Sequence, residues 1–165
     1  MFLRSEGERE HIGYASNLTG EYDKAAHIYT KAVTFHTESE TVDAAAMVGL
    51  LTNRAACHLS TVRYEECAQD CSRALALAQQ LRAEGRADIK TGSAEKLALI
   101  RRGTALCWVG KIAEGRRDYG EAIELQEREV AGCVDAEARG TLEVELEQLR
   151  EDLAGIGRLQ SGYLD

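Results

Sequence analysis

Apolar residues recur along the chain at the three- and four-residue spacing of amphipathic helices, and they do so in three similar segments. The segments align without gaps at offsets of 42 and 48 residues: GEYDKAAHIYTKAV (20–33), VRYEECAQDCSRAL (62–75) and GKIAEGRRDYGEAI (110–123). Ala32, Ala74 and Ala122 share one column, and larger apolar residues share the next. Internal repetition of this kind indicates stacked supersecondary units.

The same offsets align a second helix ahead of each segment, so every unit predicts a helical hairpin. Gly13, Ala55 and Gly103 share a column there, and small residues let two helix backbones approach closely. The predicted turns lie at Gly20, 62–63 and Gly110. Because one hairpin cannot bury its own apolar face, the three hairpins are expected to stack into a solenoid.

A further amphipathic helix is predicted over 134–157, where an apolar stripe recurs at spacings of four and three residues. The stripe consists of Leu142, Leu146, Leu149, Leu153 and Ile156. It predicts a helix that caps the last hairpin, and a coiled-coil dimer through the same stripe is the alternative. The predicted organisation is three hairpins within 1–133 (6–39, 48–84 and 96–130), the capping helix, and a frayed tail at 158–165.

Composition supports an all-α fold and excludes several function classes. Hydrophobic residues make up 44% and aromatic residues 5%, and the chain contains no proline. No apolar run approaches the roughly 20 residues of a membrane span, and the first residues do not resemble a signal peptide. Five cysteines suit a reduced, intracellular protein better than a disulfide framework. Cys67 and Cys71 lie one turn apart, but no further pair has zinc-like spacing, so no metal site is predicted.

Charge is distributed unevenly within a net charge of −8. Residues 96–117 carry six basic side chains and one carboxylate, whereas residues 118–165 carry 13 acidic and four basic side chains. A basic island in an acidic protein suits a local anionic ligand and disfavours a long polyanion such as nucleic acid.

Two adjacent arginines, Arg101 and Arg102, lie inside the basic island in the stretch LIRRGTALCWVG (99–110). A helix turns about 100° per residue, so the two side chains point in different directions. Arg101 shares its column with Asn53, and Arg102 shares its column with Arg54. We expect Arg102 to lie at a packing edge between helices.

The repeat columns resemble those of the tetratricopeptide repeat. The resemblance implies an all-α, right-handed superhelical solenoid of three repeats plus a capping helix, with the first helix of each hairpin lining a concave groove. It therefore implies that Asn53 and Arg101 face this groove. Trp108, near the end of the same helix, is a candidate to shelter an aliphatic ligand side chain, and packing in the core is the alternative.

The stretch TNRAACHL (52–59) is similar to the second repeat of chaperone-binding tetratricopeptide domains. Those domains hold the C-terminal Glu-Glu-Val-Asp of cytosolic heat-shock chaperones in a carboxylate clamp. Asn53 matches the asparagine of the second repeat, and Arg101 matches the arginine of the third. Each supplies hydrogen-bond donors for a carboxylate.

The remaining clamp positions depart from the family pattern. Leu97 stands where the third repeat has lysine, with Lys96 one residue early, and Glu10 and Tyr14 replace the lysine and asparagine of the first repeat. The expected peptide-binding set is therefore Asn53, Arg101, Lys96 and Tyr14. The departures predict a weakened clamp or a different acidic C-terminus as ligand.

Three further stretches, NRAACHL (53–59), QDCSRALAL (69–77) and IRRGTALCW (100–108), are similar to the C-terminal tetratricopeptide domain of the axonemal dynein assembly factor family. This resemblance implies a cytoplasmic co-chaperone that helps to preassemble ciliary dynein, with a possible association with cilia or flagella and with dynein assembly clients.

The function expected from the sequence is binding of an acidic peptide, without catalysis and without a cofactor. No phosphate loop, nucleophile elbow or metal signature is present, and His58 is expected to be packed inside. The chain is expected to be a monomer. The alternative is a structural scaffold subunit that self-associates through its last helix.

Overall fold

The computed structural model describes the backbone of residues 6–38 and 43–161 and the side chains of residues 20–38 and 43–156. Helices account for nearly all of this part of the chain, which contains no strand. The helices are α1 (Glu6–Glu38), α2 (Ala44–Ser60), α3 (Tyr64–Ala83), α4 (Ile89–Trp108), α5 (Ile112–Gly132) and α6 (Ala136–Ser161).

Each helix packs against the next one along the chain, and α2 also packs against α4. The contact between α2 and α4 joins the first helices of two neighbouring hairpins, α2–α3 and α4–α5. Sequential packing of this kind builds a solenoid, in which a unit contacts only its neighbours. The all-helical solenoid expected from the sequence is confirmed.

The turns inside the two hairpins lie where the repeat alignment predicts them. Val62, between α2 and α3, has a φ of 62°, and Gly110, between α4 and α5, has a φ of 85°. A residue in the left-handed region ends a helix because it turns the backbone away from the helical path. The amide of Arg63 donates to the carbonyl of His58 at 2.8 Å, and the amide of Lys111 donates to that of Leu106 at 2.8 Å.

The turn predicted at Gly20 is wrong, because α1 runs without a break from Glu6 to Glu38. One glycine costs a helix only about 1 kcal/mol relative to alanine, which is too little to end a long helix by itself. Gly20 does not adopt a positive φ, unlike Gly110. The first unit is therefore one long helix in this structure.

Side-chain caps set the starts of α2 and α4. Asp43 accepts hydrogen bonds from the amides of Ala45 and Ala46 at 3.1 Å each, and Asp88 accepts one from the amide of Thr91 at 2.8 Å. Such caps satisfy amides that have no partner within the helix. Because α4 starts directly after Asp88, the connection between α3 and α4 comprises only residues 84–88.

The helices of the last hairpin approach very closely at two glycines. A Cβ built at Gly103 would lie 2.9 Å from the carbonyl oxygen of Gly115, and one built at Gly115 would lie 2.5 Å from the Sγ of Cys107. Ala55 and Cys67, which occupy the same columns in the preceding hairpin, are fully buried. Small residues in these columns therefore set the distance between the helices of each hairpin.

The last helix, α6, packs against α5 through its predicted apolar stripe. Leu146 and Leu149 are buried, and Leu142, Leu153 and Ile156 are half-buried. The centre of the stripe is thus covered within the chain. None of the described helices combines the length and the apolar character needed to cross a membrane.

Candidate functional site

A repeated polar contact joins α1, α2 and α3. The guanidinium of Arg54 forms a bidentate pair with Asp70, with both N–O distances at 2.6 Å. Its remaining nitrogen, Nη1, donates to the hydroxyl of Thr30 at 3.2 Å. The hydrogen bond with Asp70 raises the pKa of Arg54 above its usual value. Bidentate geometry fixes the orientation of both side chains, so this contact locks three successive helices together.

The same contact recurs one unit further along the chain, at α3, α4 and α5. Arg102 Nε lies 2.7 Å from Asp118 Oδ2, and Nη2 lies 2.8 Å from Oδ1. Its Nη1 donates to the hydroxyl of Ser72 at 3.3 Å. The expected position of Arg102 at a packing edge agrees with this contact. We call the two sets of three residues the arginine brackets.

The arginine brackets could have been found in the sequence. Arg54 and Arg102 are 48 residues apart, and so are Asp70 and Asp118. One helix of each hairpin has an arginine column and the other has an aspartate column, and both columns repeat at the same offset. This pattern indicates that the same arginine–aspartate contact forms in both hairpins. The arginine column alone does not reveal the contact, because its partner is the acidic column on the second helix of the hairpin.

Arg101 points in another direction and has a different partner. Its Nη1 donates to the backbone carbonyl of Thr52 in α2 at 2.7 Å. Among the described residues, no carboxylate lies within 4.0 Å of its guanidinium. Of the three arginines in α2 and α4, Arg101 is thus the one whose charge is not paired in the part of the chain that is described. Its side chain is half-buried, so part of it remains open to solvent.

The bond to Thr52 places the guanidinium of Arg101 beside the peptide group that joins Thr52 to Asn53. Asn53, which directly follows Thr52, is exposed on α2. Leu97, one turn before Arg101, is 41% exposed. We call the surface formed by Asn53, Leu97 and Arg101 the α2–α4 face. It combines an amide, a guanidinium that has no carboxylate partner among the described residues, and an apolar side chain, which are groups that can bind a peptide carboxylate and an adjacent aliphatic residue.

Lys96 is directed away from the α2–α4 face. Its ammonium lies 2.6 Å from Glu129 Oε2 in α5 and also contacts Oε1 of Gln126. The amide nitrogen of Gln126 donates to the carbonyl of Leu142 in α6 at 2.9 Å. Lys96 therefore takes part in a buried polar network that joins α4, α5 and α6. The repeat alignment does not predict this network, because the preceding hairpin has Val48 and Ala78 in the columns of Lys96 and Gln126.

Tyr14, the fourth candidate residue, lies in the part of α1 whose side chains are outside the described residues, as does Glu10.

Trp108 is 68% exposed and stacks on Tyr64, with ring centroids 5.6 Å apart and an angle of 4° between the planes. Trp108 is therefore a surface residue rather than a core residue.

The cysteines and His58 are packing residues in this structure. Cys67 and Cys71 are free and buried, and the hydrogen bond with Cys67, together with burial, raises the pKa of Cys71 far above its usual value. His58 is half-buried beside Asp70, at 3.6 Å, and burial lowers its pKa. Within the described part of the chain, no cluster of three or more metal-ligating side chains is found.

Two cavities lie on another surface, between α3 and α5, with volumes of about 900 and 430 Å³. Basic and acidic side chains line the larger one in similar numbers, including Arg73, Lys111, Arg117, Glu114 and Glu121. Neither cavity includes Asn53 or Arg101. Mixed charge selects no single class of ligand, so we retain the α2–α4 face as the candidate site.

Stacked helical hairpins joined by repeated contacts define the chain as an α-helical repeat protein, and comparisons with known proteins narrow this class. The Hsp70-Hsp90 organizing protein of Triticum aestivum is 32% identical over 117 residues, which cover 71% of this chain and 17% of that protein. Hsp70-Hsp90 organizing protein 2 of Arabidopsis thaliana is 30% identical over 117 residues, which cover 71% of this chain and 17% of that protein. Dynein axonemal assembly factor 4 of Rattus norvegicus is 34% identical over 88 residues, covering 53% of this chain and 20% of that protein.

These relatives confirm the resemblance to tetratricopeptide co-chaperones and to the axonemal dynein assembly factor. The chain spans about one fifth or less of the length of each of them. No family model matches the chain. No solved structure matches it either.

Proposed function

We propose that this chain is a protein-interaction module that binds an acidic C-terminal peptide on the α2–α4 face. The observation that carries the proposal is the difference between the arginines. The guanidinium groups of Arg54 and Arg102 are paired with buried carboxylates. Arg101 is held by a backbone carbonyl next to Asn53 instead. A guanidinium that is held in place and has no carboxylate partner in the described part of the chain is suited to a ligand carboxylate.

The chemistry of the two side chains fits a terminal carboxylate. Arg101 carries five N–H donors, and one of them is used by Thr52. Others can bind the carboxylate in a charge-assisted, bidentate manner, while the amide of Asn53 donates to the ligand from the neighbouring turn. Leu97 offers an apolar contact in place of the lysine of the related clamps. We therefore expect binding weaker than that of a complete clamp.

The names of the relatives support a chaperone as the source of the peptide. Two of them are Hsp70-Hsp90 organizing proteins, and we propose that the ligand is the Glu-Glu-Val-Asp terminus of a cytosolic heat-shock chaperone. The similarity to dynein axonemal assembly factor 4 supports a role in preassembly of axonemal dynein. In both cases the chain acts in the cytoplasm as a binding module, without catalysis and without a cofactor.

Calorimetric titration tests the proposal. A peptide ending in Glu-Glu-Val-Asp with a free carboxylate should bind, and the same peptide with an amidated C-terminus should bind at least about tenfold more weakly, since a hydrogen bond to a charged group contributes roughly 1.5–3 kcal/mol. Arg101→Ala and Asn53→Ala should each weaken binding of the free acid by a similar factor.

Arg116→Ala is the matched control, because Arg116 is an exposed arginine in the same basic island but belongs to α5. It should retain nearly the full affinity at moderate salt. The proposal fails if the free acid does not bind at about 100 µM protein. It also fails if Arg101→Ala and Arg116→Ala lower the affinity equally, because a general charge effect would then explain the binding.

The alternative, a scaffold that self-associates through the stripe of α6, has less support. Leu146 and Leu149 at the centre of the stripe are 7% exposed. A coiled coil through these leucines would first have to remove α6 from α5.

A further inference from the structure

Exposed apolar side chains meet at the edge of the solenoid where the hairpins turn. Val62, in the turn between α2 and α3, is 67% exposed, and Trp108, at the end of α4, is 68% exposed. Tyr64 connects them, because it begins α3 two residues after Val62 and its ring stacks on that of Trp108. We call the surface formed by these three residues the turn patch. Single exposed apolar residues are common, whereas adjoining ones are typical of interaction sites.

Val62 has a backbone conformation that valine rarely adopts. Its φ of 62° lies in the left-handed region, where a β-branched side chain is strained. The equivalent turn of the next hairpin, 48 residues later, has Gly110 with a φ of 85°, and glycine makes this turn without strain. The exposed side chain of Val62 contributes little burial to offset the strain. Because strained residues of this kind cluster at binding sites, we expect Val62 to contact a partner.

The stack on Tyr64 holds the indole of Trp108 in one orientation at the surface. The two rings are nearly parallel, and their centroids are 5.6 Å apart. Tyr64 therefore covers part of one face of the indole, while the side chain as a whole stays open to solvent. The face of an indole attracts an ammonium or guanidinium group, and tryptophan does so more strongly than the other aromatic residues. The turn patch thus combines a site for a cation with an aliphatic contact at Val62.

Carboxylates surround the turn patch. Glu65 and Glu66 are exposed in the first turn of α3, and Glu114 is exposed in the first turn of α5. Glu65 and Glu114 line the larger cavity together with Val109, the residue that follows Trp108. These acidic side chains are placed to attract a partner of positive charge.

The basic residues of the two turns do not offset this charge. Arg63 is paired with Asp23 of α1, at 2.7 Å, and Lys111 supplies a single positive charge against three carboxylates. A second copy of this chain is an unfavourable occupant, because its own turn patch has the same acidic surroundings and each chain has a net charge of −8.

We propose that the turn patch docks a basic segment of another protein. An arginine or lysine of the segment stacks on the indole of Trp108, an aliphatic neighbour contacts Val62, and a further basic residue pairs with Glu65. The partner is opposite in charge to the acidic peptide proposed for the α2–α4 face. The inference therefore does not rest on the peptide proposal, and the two surfaces recognise different ligands.

Fluorescence titration of the full chain tests the proposal, because Trp108 is the single tryptophan of the chain. The probe is the peptide acetyl-Leu-Arg-Leu-Arg-Leu-amide, which has no terminal carboxylate for the α2–α4 face. It should shift the emission to shorter wavelength with saturation below about 1 mM. The acidic peptide acetyl-Leu-Glu-Leu-Glu-Leu-amide should bind at least about tenfold more weakly.

Val62→Gly separates binding from folding. It should raise the midpoint of urea unfolding, because glycine relieves the strain, and yet weaken binding of the basic peptide about threefold. Val144→Ala is the matched control, since Val144 is 71% exposed on α6, and it should bind the peptide as the unaltered chain does. Arg101→Ala should also leave this binding unchanged, which distinguishes the turn patch from the α2–α4 face.

Three outcomes would overturn the proposal. The first is equal affinity for the two peptides, or no saturable change up to about 1 mM. The second is unaltered affinity in Val62→Gly. The third is a dimer of the unaltered chain, measured by sedimentation equilibrium, that is lost in Trp108→Ala, because the patch would then bind a second copy of this chain.

Discussion

Arg101 donates a hydrogen bond from Nη1 to the carbonyl oxygen of Thr52 at 2.7 Å. The next residue, Arg102, forms a bidentate pair with Asp118 instead. Adjacent positions on a helix point about 100° apart, so one arginine lies towards α2 and the other towards α5. The pair of arginines therefore divides into one side chain available to a ligand and one that holds the solenoid together.

The two arginines should differ in their effect on stability. Arg102→Ala leaves the carboxylate of Asp118, whose side chain is 5% exposed, without its counter-charge. Loss of one partner of a buried pair typically costs about 3 kcal/mol or more. Arg101→Ala removes one hydrogen bond and should cost about 1 kcal/mol. Urea denaturation of the two variants measures both, and equal losses would contradict this division of roles.

Lys96 should matter more for stability than for peptide binding. Lys96→Ala leaves Glu129 unpaired and removes the group that donates to Oε1 of Gln126, a residue that is fully buried. An unsatisfied buried polar group costs roughly 1–3 kcal/mol. Thermal unfolding and peptide titration of this variant should show a lower melting temperature with nearly unchanged affinity. A large loss of affinity in a variant of unaltered stability would assign Lys96 to the peptide site, as the sequence alone predicted.

The close crossing of α4 and α5 predicts opposite effects for two glycines on one helix. Gly115→Ala places a Cβ 2.6 Å from the carbonyl oxygen of Gly103, and overpacking of this kind costs about 1–3 kcal/mol. Gly120→Ala meets nothing within 4 Å and should stabilise the helix by roughly 0.5–1 kcal/mol. Chemical denaturation of both variants checks the signs. Destabilisation by Gly120→Ala would show that α5 is packed differently.

His58 should make stability depend on pH in a defined window. Burial lowers its pKa below the usual value of 6.5, so the unfolded chain binds a proton more readily than the folded one. The free energy of unfolding should therefore fall as the pH decreases from about 6.5 towards the pKa of the folded state, and it should be fully recovered above about 6.5.

Denaturation at several pH values between about 5.5 and 7.5 measures this loss. His58→Leu introduces the residue found at position 106 in the same column. This variant should no longer lose stability as the pH decreases. His27→Leu, at an exposed position of α1, should retain the pH dependence of the unaltered chain. Persistence of the full pH dependence in His58→Leu would assign the effect to another group.

The repeat columns were sufficient to predict the hairpins α2–α3 and α4–α5, because their small residues and turns recur at constant offsets. They failed at Gly20, where the columns continue but no left-handed residue ends the helix. A glycine permits a turn without requiring one. Packing decides which conformation is adopted, and in a single sequence this choice is not encoded locally.

The sequence by itself determined the class of fold, the α2–α4 register and the different directions of Arg101 and Arg102, since these follow from helical periodicity and repeat offsets. Only the tertiary structure decided what each side chain contacts. In the structure, Lys96 contacts Glu129, the guanidinium of Arg101 lies beside Asn53, and α1 is a single helix. The physical reason is that periodicity defines the direction of a side chain from its own helix, whereas its partner depends on how neighbouring helices pack.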